Sequence, residues 1–283
     1  MKRCPRCHKE LPENARFCWN CGAEQVAEPP PEPQSVHLDP DQDITQQFTE
    51  LFFRALKNRL AEEHDSQLFQ AYSERVYETT YRDDISRYGR QLAEQIAQRR
   101  QQGKLDPHKL NRHVARLLDQ QLDYFIITHC QDLNAVHLPR AILKYQDAEW
   151  SSVNIFRLAM DYLDFDRERE KPYTDFLNMP VEKLKNAGKQ FLFPARKEKI
   201  LFIVDTSLLG NCKEGFAMTE HALYWKFPLQ KARLVNYERL ERIQRVENWI
   251  TINGYFFNVN PSINLKMLKL LKKIQQLRHG HSA

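Results

Sequence analysis

The stretch NWITINGYFFNVNPSINLKMLKLLKKIQQL, residues 248–277, decides the fold of the C-terminal third. Asn253 and Gly254 join two short β-prone runs, and this dipeptide is the strongest short-range signal for a two-residue hairpin turn. Asn260 and Pro261 then occupy the N-cap and first position of a helix. The pattern predicts a hairpin followed by one closing helix, with these apolar residues on one face: Ile263, Met267, Leu270, Leu271, Ile274 and Leu277.

Further β-prone runs precede this hairpin at about ten-residue spacing, which predicts a small sheet or barrel. The runs DTSLLGNCKEGFAMTEHALYWKF, LVNYERLERI and ITINGYFF, with the final helix, resemble the bacterial relatives of the pleckstrin-homology (PH) fold. The similarity covers roughly residues 197–279. It implies a bent β-barrel capped by an α-helix that plugs one end. It also implies binding of lipid head groups or protein segments, and not catalysis.

The first hairpin loop of this PH-like region reads TSLLGNCK. In PH domains that bind phosphoinositides, a basic cluster lies in and around this loop. Lys213 is the only base in the loop here, so the sequence departs from the pattern of specific lipid recognition. Cys212, alone in the loop, is expected to be an incidental surface thiol.

Charge is unevenly distributed along the chain, whose formal net charge is +5. Fifteen basic residues against seven acidic ones follow residue 195, whereas residues 29–195 are slightly acidic. This asymmetry favours an anionic partner. The residues expected to bind it are Arg239, Arg242, Lys266, Lys269 and Lys273. The three lysines lie on the side of the final helix opposite its apolar face. An anionic membrane, a nucleic acid and an acidic protein remain open as partners, beside a merely solvated basic face.

Four of the six cysteines lie in the stretch CPRCHKELPENARFCWNCG, residues 4–22. Two Cys-x-x-Cys pairs can offer four thiolates to one tetrahedral ion, and a unit this small cannot bury a useful core. The spacing predicts one structural Zn²⁺ per chain, and its folding energy would come from the metal. The predicted ligands are Cys4, Cys7, Cys18 and Cys21.

The same stretch resembles the short zinc ribbons at the N-terminus of many bacterial proteins, with His8 where those ribbons often carry glycine. His8 is an alternative ligand, and a redox-active cysteine pair or a metal-free ribbon are alternative interpretations. A site closed by four sulfurs leaves no open position for a substrate, so catalysis at this zinc is not expected.

Composition divides the rest of the chain. Five prolines within residues 29–40 indicate a flexible tether. Apolar residues then recur at helical spacing as far as Gly188, with a break at Gly103 and Pro107 and further helices expected at 138–146, 152–165 and 180–188. The predicted fold is a multi-domain α+β protein: zinc ribbon (1–24), proline-rich linker (25–42), all-α helical domain (43–195), PH-like domain (196–279) and a short tail (280–283).

Three groups in the helical region have ordinary explanations. His129 and Cys130 near His137 lack an orienting carboxylate and are expected to be helix-end residues. The acidic run DYLDFDRERE lacks the glycine of a calcium loop and is expected to be a solvated helix end. An aromatic stripe is expected to be core or interface: Phe69, Tyr72, Tyr77, Tyr81 and Tyr88.

The functional expectation is a noncatalytic adaptor or regulator that engages partner proteins through the ribbon and the PH-like domain. The sequence has no glycine-rich phosphate loop, nucleophile elbow or HExxH motif. A buried carboxylate or histidine cluster in a pocket of the helical region would favour an enzyme instead. No signal-peptide core or membrane-length apolar run is seen, which favours the cytoplasm, with the inner membrane face as an alternative site. A peripheral membrane protein is the alternative function, followed by a nucleic-acid-associated one.

Overall fold

The computed structural model describes residues 2–3, 7, 9–11 and 36–279. Near the N-terminus, strands β1 (Lys2–Arg3) and β2 (Glu10–Leu11) pair antiparallel. The remaining elements lie between residues 36 and 279 and form a mixed α+β structure.

Seven α-helices lie in that described range: α1 (Ile44–Glu63), α2 (Phe69–Glu78), α3 (Tyr81–Gln101), α4 (Pro107–His129), α5 (Ile155–Leu163), α6 (Val181–Gln190) and α7 (Pro261–His279). The predicted break is confirmed, because Gly103 takes a φ of 64° after α3 and the Asp106 carboxylate caps α4. The helix expected at 138–146 is instead a 3₁₀ helix, Arg140–Tyr145.

Helix α1 packs closely against α3 and also contacts α4. A glycine permits the close approach, since a Cβ on Gly89 would lie 2.9 Å from the Cα of Thr45. The aromatic stripe is only partly core: Tyr72 and Tyr81 are buried, whereas Tyr77 is exposed.

The strands of the C-terminal part form two antiparallel sheets. The larger has the order β3-β4-β5-β6-β7 and the smaller the order β10-β9-β8. Their bounds are β3 (Pro172–Tyr173), β4 (Ile200–Asp205), β5 (Gly215–Thr219), β6 (Ala222–Lys226), β7 (Arg233–Asn236), β8 (Ile243–Val246), β9 (Trp249–Ile252) and β10 (Tyr255–Phe257). Within residues 36–279 no strand pairing joins the two sheets, so a closed barrel is not shown.

The hairpin and the closing helix form as the sequence predicts. Ile252 faces Tyr255 across the turn, and both turn residues have positive φ, 49° at Asn253 and 81° at Gly254. The side chain of Asn260 accepts a hydrogen bond of 2.8 Å from the backbone N–H of Ile263, which caps α7.

One apolar core runs through helices α1 to α5, both sheets and α7. A smaller core lies between α6 and the larger sheet and includes Phe191, Ile203 and Tyr224. Strand β3 and helix α6 precede residue 196 yet pack with the strands that follow it. Packing is therefore continuous across the position at which the sequence places a domain boundary.

Candidate functional site

The predicted zinc ligands lie almost wholly outside the described residues. Cys4, Cys18 and Cys21 are not described, and Cys7 is half-buried in the segment between β1 and β2. The antiparallel pairing of those strands places residues 2–3 beside residues 10–11, and the first cysteine pair lies between these two segments in the sequence. Thiolate donors at this spacing fit Zn²⁺, so the residues suit the metal that the sequence predicts.

The lysines of α7 do not form a solvated side. Lys266 is 1% exposed, and its ammonium group lies 2.6 Å from Oε1 of Glu168. Lys269 is 6% exposed and lies 2.9 Å from carboxylate oxygens of both Glu63 and Asp123. These two lysines were expected to meet an external anion; the structure instead gives each one internal carboxylates, because α7 packs against other elements on its basic side as well.

Lys269 belongs to a group of charged residues between α1, α4 and α7, which we call the ion cluster: Arg59, Glu63, Asp119, Asp123, Lys269 and Lys272. Burial alone would raise the pKa of Glu63, but the positive charges of Arg59 and Lys269 outweigh it and hold that pKa well below its usual range. The pKa of Asp123 is lowered against its burial by the same two cations. Both carboxylates are therefore ionised and neutralised by neighbours.

The other three residues of the predicted anion-binding set lie elsewhere. Arg239 and Arg242 are exposed and follow β7, at the end of the larger sheet opposite its β6–β7 loop. Lys273 is half-buried, and its ammonium group donates to the backbone oxygen of Gln146 and to Oε1 of Gln276. The structure does not bring the five residues into one patch.

Sequence reasoning missed an apolar feature at one end of the larger sheet. The strand register places the β4–β5 loop (residues 206–214) and the β6–β7 loop (residues 227–232) at that same end. We call these the leucine loops, because Leu208, Leu209 and Leu229 are 98%, 83% and 104% exposed. Adjacent leucines beside Gly210 were a sequence signal for this feature, although a loop pattern alone does not reveal exposure.

The first leucine loop has an ordered backbone. The hydroxyl of Ser207 accepts hydrogen bonds from the backbone N–H groups of Asn211 and Cys212, at 2.9 and 3.1 Å. Asn186 of α6 donates to the backbone oxygen of Asn211 at 2.8 Å. Burial raises the pKa of the Cys212 thiol to about 12, so this residue is an interior packing group and not the surface thiol expected. The loop holds its leucines outward on a fixed frame.

The leucine of the second loop is held in an unusual conformation. Leu229 has a φ of 60°, a left-handed value that costs a residue with a branched side chain of order 1–3 kcal/mol. Glycine would relieve that strain. Three exposed bases lie in or beside the two loops: Lys213, Lys231 and Arg233.

The two other groups singled out in the helical region are structural. Cys130 is buried, and burial raises the pKa of its thiol to about 12. Asp164 and Glu168 of the acidic run do not lie on a solvated helix end; they face the ammonium group of Lys266 at 3.8 and 2.6 Å.

Comparison with known proteins bears on the N-terminus. Residues 3–25 match the family model of the zinc-ribbon domain. This match supports the N-terminal ribbon and suggests that it binds structural zinc. Searches of curated proteins and of solved structures gave no match. No helix in the described part of the chain is long and apolar enough to cross a bilayer.

Proposed function

We propose that this chain is a noncatalytic zinc-binding adaptor that docks on an anionic membrane surface through the leucine loops and holds a partner protein through its ribbon. The observation that carries the proposal is the near-complete exposure of Leu208, Leu209 and Leu229 at one end of the sheet. Exposed leucines are unremarkable singly, but three on neighbouring loops of a well-packed body indicate a contact surface.

The strand order supports a PH-like domain. Four consecutive antiparallel strands, β4 to β7, are followed by three more, β8 to β10, and then by one helix. That is the order the resemblance implies, and in such a domain the first leucine loop would be the first hairpin loop. The added strand β3 and helix α6 cover the edge and one face of the larger sheet.

The shape of the site favours a bilayer over a protein groove. The leucines protrude from ordered loops, which suits insertion between lipid head groups. A leucine moved fully out of water contributes about 1.5–3 kcal/mol, and each base near an anionic surface adds about 1 kcal/mol. Three leucines with Lys213, Lys231 and Arg233 would give reversible binding after the cost of immobilisation.

The ion-paired state of the charged cluster in the helical region favours a noncatalytic role over an enzyme. Glu63 and Asp123 are ionised and ion-paired to Arg59 and Lys269, so neither is a protonated acid or an unengaged base near neutral pH. General acid–base catalysis needs a group whose pKa lies near the working pH. The nucleic-acid alternative also weakens, because Lys266 and Lys269 face internal carboxylates.

Vesicle cosedimentation tests the membrane part. The full chain is mixed with vesicles of phosphatidylcholine alone or with one-third phosphatidylglycerol. We expect binding to the anionic vesicles and at least tenfold weaker binding by Leu208→Ser/Leu209→Ser/Leu229→Ser, since 1.4 kcal/mol is a factor of ten. Leu68→Ser, at a residue 36% exposed on the helical part, is the control and should bind as the parent does.

Two results would overturn membrane docking: no binding of the parent chain to anionic vesicles, or equal binding by the triple variant. A partner protein captured through the ribbon is tested separately. Cys18→Ser/Cys21→Ser should lose one zinc per chain and the captured partner together, while vesicle binding stays unchanged.

A further inference from the structure

A cleft of about 790 Å³ opens beside the ion cluster, between α4 and α7. Its size is that of a small-molecule site. Six basic and three acidic residues line it: Arg59, Arg112, Arg116, Lys269, Lys272 and Lys273, against Glu63, Asp119 and Asp123. The cleft therefore has an excess of positive charge, and the question is which cations are already engaged.

Three of the six cations are neutralised within the ion cluster. Arg59 pairs with Asp123 at 2.6 Å and also with Asp119. Lys269 and Lys272 both contact Glu63, at 2.9 and 3.0 Å. Every lining carboxylate is thus paired with at least one of these three cations.

The other three cations have no carboxylate partner among residues 36–279. Arg112 and Arg116 are exposed and lie four residues apart on α4, so they project from the same side of that helix. Lys273 of α7 is half-buried and donates only to an amide and a backbone carbonyl. Burial lowers the pKa of Lys273, and the charge of Arg116 lowers it further, although Asp119, Asp123 and Asp147 act in the opposite direction.

We propose that this cleft binds a small phosphate-bearing anion, held by Arg112, Arg116 and Lys273. A guanidinium presents paired N–H donors that match two phosphate oxygens, and a lysine adds a compact charge. Three unpaired cations facing one space suit a ligand with two or more negative charges, such as a diphosphate group. The ion cluster forms the rigid wall against which the ligand sits.

Isothermal titration of the full chain with inorganic pyrophosphate, and separately with ADP, tests the proposal. We expect one saturable site per chain and affinity at least tenfold lower in Arg112→Gln/Arg116→Gln. Lys273→Gln should show a similar loss. The matched control is Arg54→Gln/Arg90→Gln, which removes the same charge from exposed arginines outside the cleft and should stay within twofold of the parent.

Both arginine pairs are exposed, so neither double variant should disturb folding, which far-ultraviolet circular dichroism checks. Pyrophosphate could also remove zinc from the ribbon, and the heat of that reaction would be the same in every variant. It therefore cannot produce the expected difference in affinity between the parent and the cleft variants. The proposal fails if neither probe saturates a site, or if the control pair loses as much affinity as the cleft pair. Either result leaves the membrane proposal standing, because the leucine loops are untouched.

Discussion

The substitution Lys269→Met tests whether the ion cluster stabilises the packing of α7 against the helical region. The ammonium group of Lys269 contacts Glu63 and Asp123, each at 2.9 Å, in an interior where its side chain is 5% exposed. Removing one member of a buried ion pair costs about 3–5 kcal/mol, because the remaining charge stays buried without its partner. Methionine fills nearly the same volume, so the loss is electrostatic and not a cavity effect.

The remaining cations set the expected size. After the substitution Asp123 keeps Arg59 at 2.6 Å, and Glu63 keeps Lys272 at 3.0 Å. We therefore expect the lower end of the range, a loss of about 3 kcal/mol in the free energy of unfolding. For a body of this size that corresponds to about 6–12 °C in Tm. Urea unfolding followed by far-ultraviolet circular dichroism measures it.

Lys272→Met is the matched control, since Lys272 lies on the same helix and its side chain is 31% exposed. Its loss should be about 1 kcal/mol or less. Adding Glu63→Gln to each background completes a double-mutant cycle. Two results would refute the reasoning: an equal loss in the free energy of unfolding for Lys269→Met and Lys272→Met, or a Lys269→Met value within about 0.5 kcal/mol of the parent. In either case the ion cluster does not stabilise the packing of α7.

Three further outcomes are expected. Burial lowers the pKa of His64 to about 4, so the unfolded chain takes up the proton first and stability falls as pH drops from 6.5 toward 4. In urea titrations at several pH values, His64→Phe should remove about 3 kcal/mol of that fall. Substitution of the exposed His37 by glutamine should leave the fall in place. Gly89→Ala should cost about 2 kcal/mol, because its Cβ would press on Thr45; Gly188→Ala, with no atom within 4 Å of the added Cβ, should be neutral or slightly stabilising in the same assay. A strong chelator should remove one zinc per chain, which mass spectrometry measures. The helical circular dichroism signal should stay unchanged, since residues 36–279 hold no grouped metal ligands.

Local chemistry allowed part of the C-terminal fold to be predicted. A two-residue turn with positive φ at both positions needs residues such as Asn253 and Gly254, and an N-cap needs a side chain such as that of Asn260. These signals depend on neighbours in sequence and hold in the folded chain. A closed barrel would need pairing between distant strands, which no local pattern specifies, and the two sheets of the described residues are not joined by such pairing.

The lysines of α7 show where periodicity misleads. A 3.6-residue pattern separates an apolar face from a basic one, but it does not say that the basic face lies on solvent. Lys266 pairs with Glu168, which lies 98 residues earlier in the chain. Lys269 pairs with Glu63, which lies 206 residues earlier. Leu265 and Leu268, both buried beside these lysines, were the available signal that this side of α7 also packs.

The charge asymmetry of the chain has a different meaning once these contacts are known. Part of the basic excess after residue 195 meets part of the acidic excess before it inside the molecule, through Lys266, Lys269 and Lys272. Net charge by segment therefore overstates what is available to a partner. The cations that can act outward are those without a carboxylate, and in the cleft these are Arg112 and Arg116 with the half-buried Lys273. Two of those three belong to the acidic segment, so segment charge alone does not point to them.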